Sequence, residues 1–388
     1  MPSSGQSSLS MRRAVGEPRA RRVVRRGPGA SGRQGGRKIS TTSALDRLAF
    51  DAAQRARVSW FFGQKLLAAR LSRPVALPPA LRGRPIPDRK RILADLFALF
   101  AQDWRNIEEG YYAPPQEGIG PPFAALARAV DFFIDLAAVE ERRHGGREER
   151  RLAAAPAGSY PRYYLQNFHF QSDGYLSAAS AERYDHQVEV LFGGGAAAMR
   201  RQALVPLRRA LAGCGRQARL LDVGCGTGQF LREVKTNHPR LHVTGLDLSP
   251  PYLAVARRLL RPWSRTRLVA APAEAMPFAD GEFDAVTCVY LFHELPPRVR
   301  RAVVAEIRRV LKPGGTAILI DSLQTGDKPL YDALLDSFPT LFYEPYYKSY
   351  LREDLDRLFS SGFAPEGHLP AYLSKVVSYR RESGEVMR

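Results

Sequence analysis

Apolar residues recur along this chain with two different periods, and the period changes near Pro206. Before that point the spacing is helical. Leu45, Leu48, Ala49, Ala52 and Ala53 share one face behind Ser43, which is placed to cap them. Ile92, Leu93, Leu96, Phe97, Leu99 and Phe100 then alternate with Lys90, Arg91 and Asp95. The proline-rich stretch Pro74 to Pro87 and the pairs Pro114-Pro115 and Pro121-Pro122 cut this region into separate helices, the last running from Phe123 to about Glu141. Trp60, Phe61, Phe62 and Trp104 read as core at this spacing. A charged run, Glu140 to Arg151 with Gly145-Gly146 inside it, reads as a linker.

Beyond Pro206 short apolar strands alternate with helical runs. Arg219 to Val223 predicts a strand, and Phe230, Leu231 and Val234 predict a helix opening at Gln229. His242 to Leu246 predicts a second strand, and Thr316 to Asp321 a later one. The helix Leu351 to Phe359 stops at Gly362, and apolar runs at Leu369 to Leu373 and Val376 to Tyr379 suit a closing antiparallel pair. Such alternation implies a parallel sheet with helices on both faces.

Composition narrows the reading. At 388 residues with 45% hydrophobic content, the chain is long enough for two folded units. Cys214, Cys225 and Cys288 have neither disulfide nor metal spacing, which fits a reducing compartment and implies no metal site. Apolar runs fall short of a membrane span, so a cytoplasmic protein is expected. The net charge of +19 suggests an anionic partner at first sight, but much of the excess sits in the first forty residues, from Arg12 to Lys38, opposed by Glu17 alone. That Ser- and Gly-rich segment cannot bury enough to offset its ordering entropy and reads as a disordered basic tail. A nucleic-acid arm and an organellar transit peptide are its functional alternatives.

The chemistry concentrates in Leu220-Leu221-Asp222-Val223-Gly224-Cys225-Gly226-Thr227-Gly228, a strand running directly into a glycine turn and then a helix. Glycines here let the backbone turn sharply and approach a ligand that a Cβ would push away. A dinucleotide fingerprint would need its third glycine one place later, where Gln229 stands. The second strand ends at Asp247, at the distance where an acid grips a ribose diol.

Together with Ala273-Glu274-Ala275-Met276-Pro277-Phe278, Phe283-Asp284-Ala285-Val286 and Leu311-Lys312-Pro313-Gly314-Gly315, these segments resemble the class I S-adenosylmethionine-dependent methyltransferases, in particular their ubiquinone and menaquinone methyltransferase-like branch. In that likeness the second and third segments correspond to the third- and fourth-strand region and the last to the turn entering strand five. The resemblance implies an α/β, Rossmann-like, doubly wound sheet of seven mostly parallel strands, with an N-terminal helical domain added. The expected divisions are a basic tail at 1–42, a helical domain at 43–150, cap helices at 151–205 and a catalytic domain at 206–388.

The resemblance also implies S-adenosylmethionine as cofactor. Asp222, Gly224, Cys225, Gly226, Thr227, Gly228, Asp247, Leu248, Ala273, Glu274 and Tyr290 are the expected cofactor residues. Where the family often has Asp two places before the equivalent of Glu274, this chain has Pro272, which leaves adenine recognition to backbone carbonyls or Glu274. The polar and aromatic segment from Tyr160 to Met199 occupies the place of helices that close over the cofactor; an interface between two domains is the alternative. His169, Tyr175 and Tyr184 from it, with Tyr346 and Tyr347 from the aromatic stretch Asp332 to Tyr350, are the candidate acceptor contacts.

His293, at the end of the fourth strand, is the candidate general base; capping of the following helix is its alternative role. This strand end carries neither the motif of DNA amino-methylating enzymes nor the nucleophilic Cys after Pro of cytosine C5 enzymes. The expected partner is therefore a small, aromatic or lipophilic methyl acceptor, and nucleic acid is not expected. A protein or RNA methyltransferase recruited by the helical domain, and a non-catalytic cofactor-binding regulator, are the rival readings.

Overall fold

The computed structural model describes residues 42–144 and 160–383, save 77, 117 and 172. The basic tail and the glycines of the linker lie outside the described residues.

Three helices open the chain: α1 (Ala44–Leu71), α2 (Arg89–Glu108) and α3 (Pro122–His144). Ser43 caps α1 as its sequence predicts, its Oγ accepting from the Asp46 N–H while the Asp46 carboxylate accepts from the Ser43 N–H. The buried face of α1 is not the expected one. Leu45 and Leu48 are 75% and 64% exposed, whereas Phe50, Gln54, Arg57, Val58, Phe61 and Gln64 face inward. The buried stripe carries polar side chains that find partners, Arg57 pairing with Glu189 at 2.9 Å and Gln64 meeting His186 at 2.8 Å. A count of apolar residues alone therefore selects the wrong side.

Short helices α4 (Ala178–Leu191), α5 (Ala196–Arg201) and α6 (Leu204–Ala210) lead into the sheet. A fully buried ion pair between Asp103 of α2 and Arg201 of α5, 2.6 Å apart, is completed by Tyr112, Asn106 and Gln202. Because both charges are buried and hydrogen-bonded, removing either partner would leave the other stranded between the two helices.

The sheet alternates with helices: β1 (Arg219–Val223), α7 (Gln229–Asn237), β2 (His242–Asp247), α8 (Pro250–Leu260), β3 (Thr266–Ala270), β4 (Phe283–Val289), α9 (Pro297–Val310) and β5 (Leu311–Ser322). After α10 (Asp332–Phe342), α11 (Tyr347–Tyr350) and α12 (Leu355–Phe359), the hairpin β6 (Phe363–Ala371) and β7 (Ser374–Arg381) closes it. Strand order is β3-β2-β1-β4-β5-β7-β6, seven strands with β7 antiparallel to both neighbours. This is the doubly wound sheet that the sequence implies.

Two local expectations shift. The third strand is Thr266–Ala270, and Ala273 to Phe278 forms the loop after it. Of the expected helix Leu351 to Phe359, only α12 (Leu355–Phe359) is helical, Leu351 lying in the turn that follows α11.

The helical layer and the sheet share one core. Leu96 and Trp104 of α2, Met199 of α5, Leu220 of β1 and Phe230 of α7 belong to the same buried cluster. On the other sheet face, Leu221, Val286, Ile307 and Leu319 form a second.

Candidate active site

In an open parallel sheet, ligand space lies beyond the carboxyl ends of the strands where the strand order reverses, here between β1 and β4. A pocket of about 100 Å³ occupies that place. Gly224 and Gly226 line it from β1, Asp247 and Leu248 from β2, Ala273 from the loop after β3, and Tyr290 and Glu294 from the end of β4.

The three glycines of the turn all have positive φ, at 71°, 52° and 82°, and differ in why only glycine fits. A Cβ on Gly228 would stand 3.1 Å from that of Ala256, so this glycine lets α7 and α8 pack closely. A Cβ on Gly224 would meet Leu291 at 3.2 Å. Gly226 has no heavy atom within 4 Å of that position, so its bare main chain faces open pocket.

Asp247 is tied down by backbone. Its Oδ2 accepts from the Gly226 N–H and its Oδ1 from the Ser249 N–H, both at 2.8 Å. Burial raises its pKa, and the main-chain donors of Ser249, Gly226 and Leu248 oppose that rise. Asp222 sits underneath the turn, wholly buried, accepting from Thr287 at 2.7 Å. Burial pushes its carboxyl up to about 7, and its Oδ2 has no hydrogen-bond partner.

Other expected cofactor residues turn away from the pocket. Cys225 is buried with its Sγ against Gly245, and Thr227 donates to Asp185 at 2.7 Å. Glu274 accepts from the Tyr163 hydroxyl at 2.7 Å. Asp222 and Gly228 support the turn from behind.

The segment from Tyr160 to α4 covers this pocket with aromatic side chains: Tyr164, Phe168, Tyr175 and Tyr184 line it. Phe168 stacks on Tyr175 with centroids 5.4 Å apart, and Tyr175 meets Tyr252 edge-on at 5.5 Å. Its polar contacts reach the loops after each of the first four strands. Asp185 holds Thr227 and Gln229 after β1, the Tyr175 carbonyl accepts from Ser249 after β2, Tyr163 holds Glu274 after β3, and Tyr175 donates to Glu294 after β4. Asp185 is a residue that sequence reasoning missed, because its partners lie over forty positions away.

A second, larger cavity of about 430 Å³ opens beside the first. Its walls come from α1, α3, α4 and α10, with Ala68, Phe132, Leu136, Val188, Leu191 and Phe342 among them. Tyr184 lines both cavities. Of the five candidate acceptor contacts, His169 and Tyr184 line this cavity and Tyr175 lines the first. Tyr346 packs on the aromatic cluster around Phe168, and Tyr347 is buried in a small core with Tyr331 and Leu335. The aromatic stretch Asp332 to Tyr350 is thus satellite core for most of its length, while Phe342 reaches the cavity.

A polar cluster lies where the two cavities meet. His169 lines one, Glu294 lines the other, and His169 Nε2 stands 3.2 Å from the Glu344 carboxylate. His169, Phe170, Tyr290 and Tyr343 all have positive φ, an uncommon backbone state for such side chains. Burial pushes the His169 imidazole down to about 4 and raises the carboxyls of Glu294 and Glu344. His293 behaves oppositely. Burial disfavours its cation, but the Asp321 carboxylate, 2.6 Å from Nδ1, outweighs that and lifts the imidazole to about 9. An imidazole held charged at neutral pH is in the wrong form to accept a proton, and His293 lines neither cavity. His186 also lines neither; it bonds Gln64 in the helical layer.

A glycine turn exposing main chain, a buried acid at the next strand end and a seven-stranded sheet closed by an antiparallel hairpin define the class. These are the fold and turn features of the class I S-adenosylmethionine-dependent methyltransferases. Residues 220–315 match the family described as a methyltransferase domain.

Among curated proteins, the chain is 37% identical over 161 residues to the ubiquinone/menaquinone biosynthesis C-methyltransferase UbiE of Methylobacterium nodulans, covering 41% of this chain and 62% of that protein. It is 35% identical over 143 residues to the demethylmenaquinone methyltransferase of Thermus thermophilus, covering 36% and 61%. With that of Deinococcus radiodurans it shares 36% over 147 residues, covering 38% and 58%. The chain spans about three fifths of the length of these relatives.

Proposed function

We propose that this chain transfers the sulfonium methyl of S-adenosylmethionine to a small lipophilic acceptor bound in the larger cavity. The observation that carries this reading is the 430 Å³ cavity, walled mainly by aliphatic and aromatic side chains and sharing Tyr184 with the glycine-turn pocket. The curated relatives point the same way, being named for ubiquinone and menaquinone biosynthesis.

In this reading residues 206–388 hold the donor, and the helices of 43–150 with the cap of 151–205 wall the acceptor. Gly224 and Gly226 present main chain to the methionine and ribose portions. Asp247, held by two backbone donors, keeps lone pairs for the ribose hydroxyls. Leu248, Ala273 and Tyr290 border the remaining surface. Methyl transfer needs a nucleophile held in line about 3–3.5 Å from the methyl, with water excluded, and an apolar chamber next to the donor pocket is suited to both. His293 acts here by positioning Asp321 and the end of β4.

Among the described residues no helix is long and apolar enough to cross a membrane.

Turnover of methyl-labelled cofactor separates the readings. Label is expected in the organic phase when a lipid-soluble extract rich in phenols and quinols is supplied, and not when RNA or protein is supplied. Label in RNA or protein would establish the macromolecular alternative. Cofactor binding without turnover in any pool would establish a regulatory one.

A further inference from the structure

The cluster at the junction of the two cavities has a composition that methyl transfer alone does not require. His169 comes from the cap, Glu294 from the turn after β4 and Glu344 from the turn after α10. One ligand-type atom from each, an imidazole nitrogen and two carboxylate oxygens, lies within 4.8 Å of the other two. The His169 Nε2 to Glu344 Oε1 separation of 3.2 Å matches the about 3 Å expected between adjacent donors bound to one ion at about 2.1 Å.

Glu344 supplies an independent observation. It is 1% exposed, and neither of its carboxylate oxygens has a hydrogen-bond partner. A buried carboxylate is ordinarily paired, hydrogen-bonded or bound to a metal, since an isolated one is costly in a low-dielectric interior. No lysine or arginine among the described residues pairs with Glu294 or Glu344. The carboxylate is thus buried, without a hydrogen bond, and directed at an imidazole and a second acid.

We propose that His169, Glu294 and Glu344 form a binding site for one divalent cation, Mn²⁺ or Zn²⁺ by donor chemistry, placed between the donor pocket and the acceptor cavity. Two carboxylates with one imidazole suit such ions and disfavour soft monovalent copper. Three protein donors leave coordination positions open, as in catalytic rather than structural sites. Because His169 lines the acceptor cavity and Glu294 the donor pocket, the open positions face the space between them. They would take an oxygen of the acceptor, a hydroxyl, carbonyl or enolate, and set its direction toward the methyl. This last role rests on the methyl-transfer reading, whereas cation binding does not.

The test uses the full chain, stripped with a chelator and titrated with Mn²⁺ while the free-ion electron paramagnetic resonance signal is followed. One Mn²⁺ per chain is expected, displaced by Zn²⁺. His169→Gln and Glu344→Gln should each weaken binding at least roughly tenfold, as removal of one ligand from a three-ligand site predicts. Glu366→Gln, a surface carboxylate paired with Arg380, should leave it unchanged. Thermal melts and an adenosylmethionine titration on each variant confirm folding. Absence of stoichiometric Mn²⁺ and Zn²⁺ binding by the wild-type chain, or unchanged binding in both ligand variants, overturns the proposal. Asp247→Ala, which tests the methyl-donor site, should leave Mn²⁺ binding intact, so the two readings fail separately.

Discussion

The pocket at the ends of β1 and β2 has a floor of bare glycine backbone and a carboxylate fixed by two N–H donors, under a cover of aromatic side chains. The chamber beside it has walls of side chains drawn from four helices that are far apart in sequence. A backbone site recognises features that every molecule of one cofactor carries, and tolerates little change. A side-chain chamber can be reshaped one residue at a time at positions other than the shared Tyr184, so in the proposed reading donor and acceptor specificity are separable.

That separation can be broken experimentally. The largest effect is expected at Asp247→Ala, which removes charge-assisted hydrogen bonds worth about 1.5–3 kcal/mol. Cofactor affinity should fall about ten- to a hundredfold in a calorimetric titration, and unchanged affinity would remove Asp247 from the site.

On the other side of the junction, Leu136→Trp fills part of the chamber. Acceptor kcat/KM should fall at least about tenfold with cofactor affinity unaltered, since overpacking of about 1–3 kcal/mol is confined to the acceptor wall. A parallel loss of cofactor affinity would show that the two sites are not separable.

Within the glycine turn, Gly228→Ala should lower the unfolding midpoint, because it strains a positive φ and crowds Ala256, at a cost of about 1–3 kcal/mol. Gly226→Ala should cost the same backbone strain without the crowding, and its larger signature should be in cofactor affinity. Equal losses of stability in both would erase the distinction between a packing glycine and a ligand glycine.

The smallest effect concerns the helical layer. Burial lowers the His186 imidazole to about 4, below its unfolded value of 6.5, so protonation favours the unfolded chain. Stability contributed by neutral His186 is complete above pH 6.5 and declines as pH falls toward 4. The wild-type melting midpoint should drop between pH 7 and 5, and the drop should be smaller in His186→Gln.

How much of this is legible in the sequence follows the same division. β1, β2, the glycine turn and Asp247 are contiguous or nearly so, and their chemistry is local: a strand, a turn needing positive φ, an acid at the next strand end. The chamber has no such signature. His169, Glu294 and Glu344 are separated by scores of residues, and no spacing can announce a cluster that only packing assembles. The inward face of α1 is hidden for a related reason. Gln54, Arg57 and Gln64 are buried because partners on distant elements satisfy them, which an apolar pattern cannot register. Nor does the motif around His293 disclose Asp321, whose carboxylate decides the charge of that imidazole.

The aromatic cover touches all four loops that follow β1 to β4, through Asp185, Tyr175 and Tyr163. One segment thus ties together the four loops that, in the proposed reading, border the donor and the acceptor junction. In that reading, release of the spent donor requires those contacts to part. Turnover would then be paced by the parting of four hydrogen-bonded contacts as well as by the transfer itself.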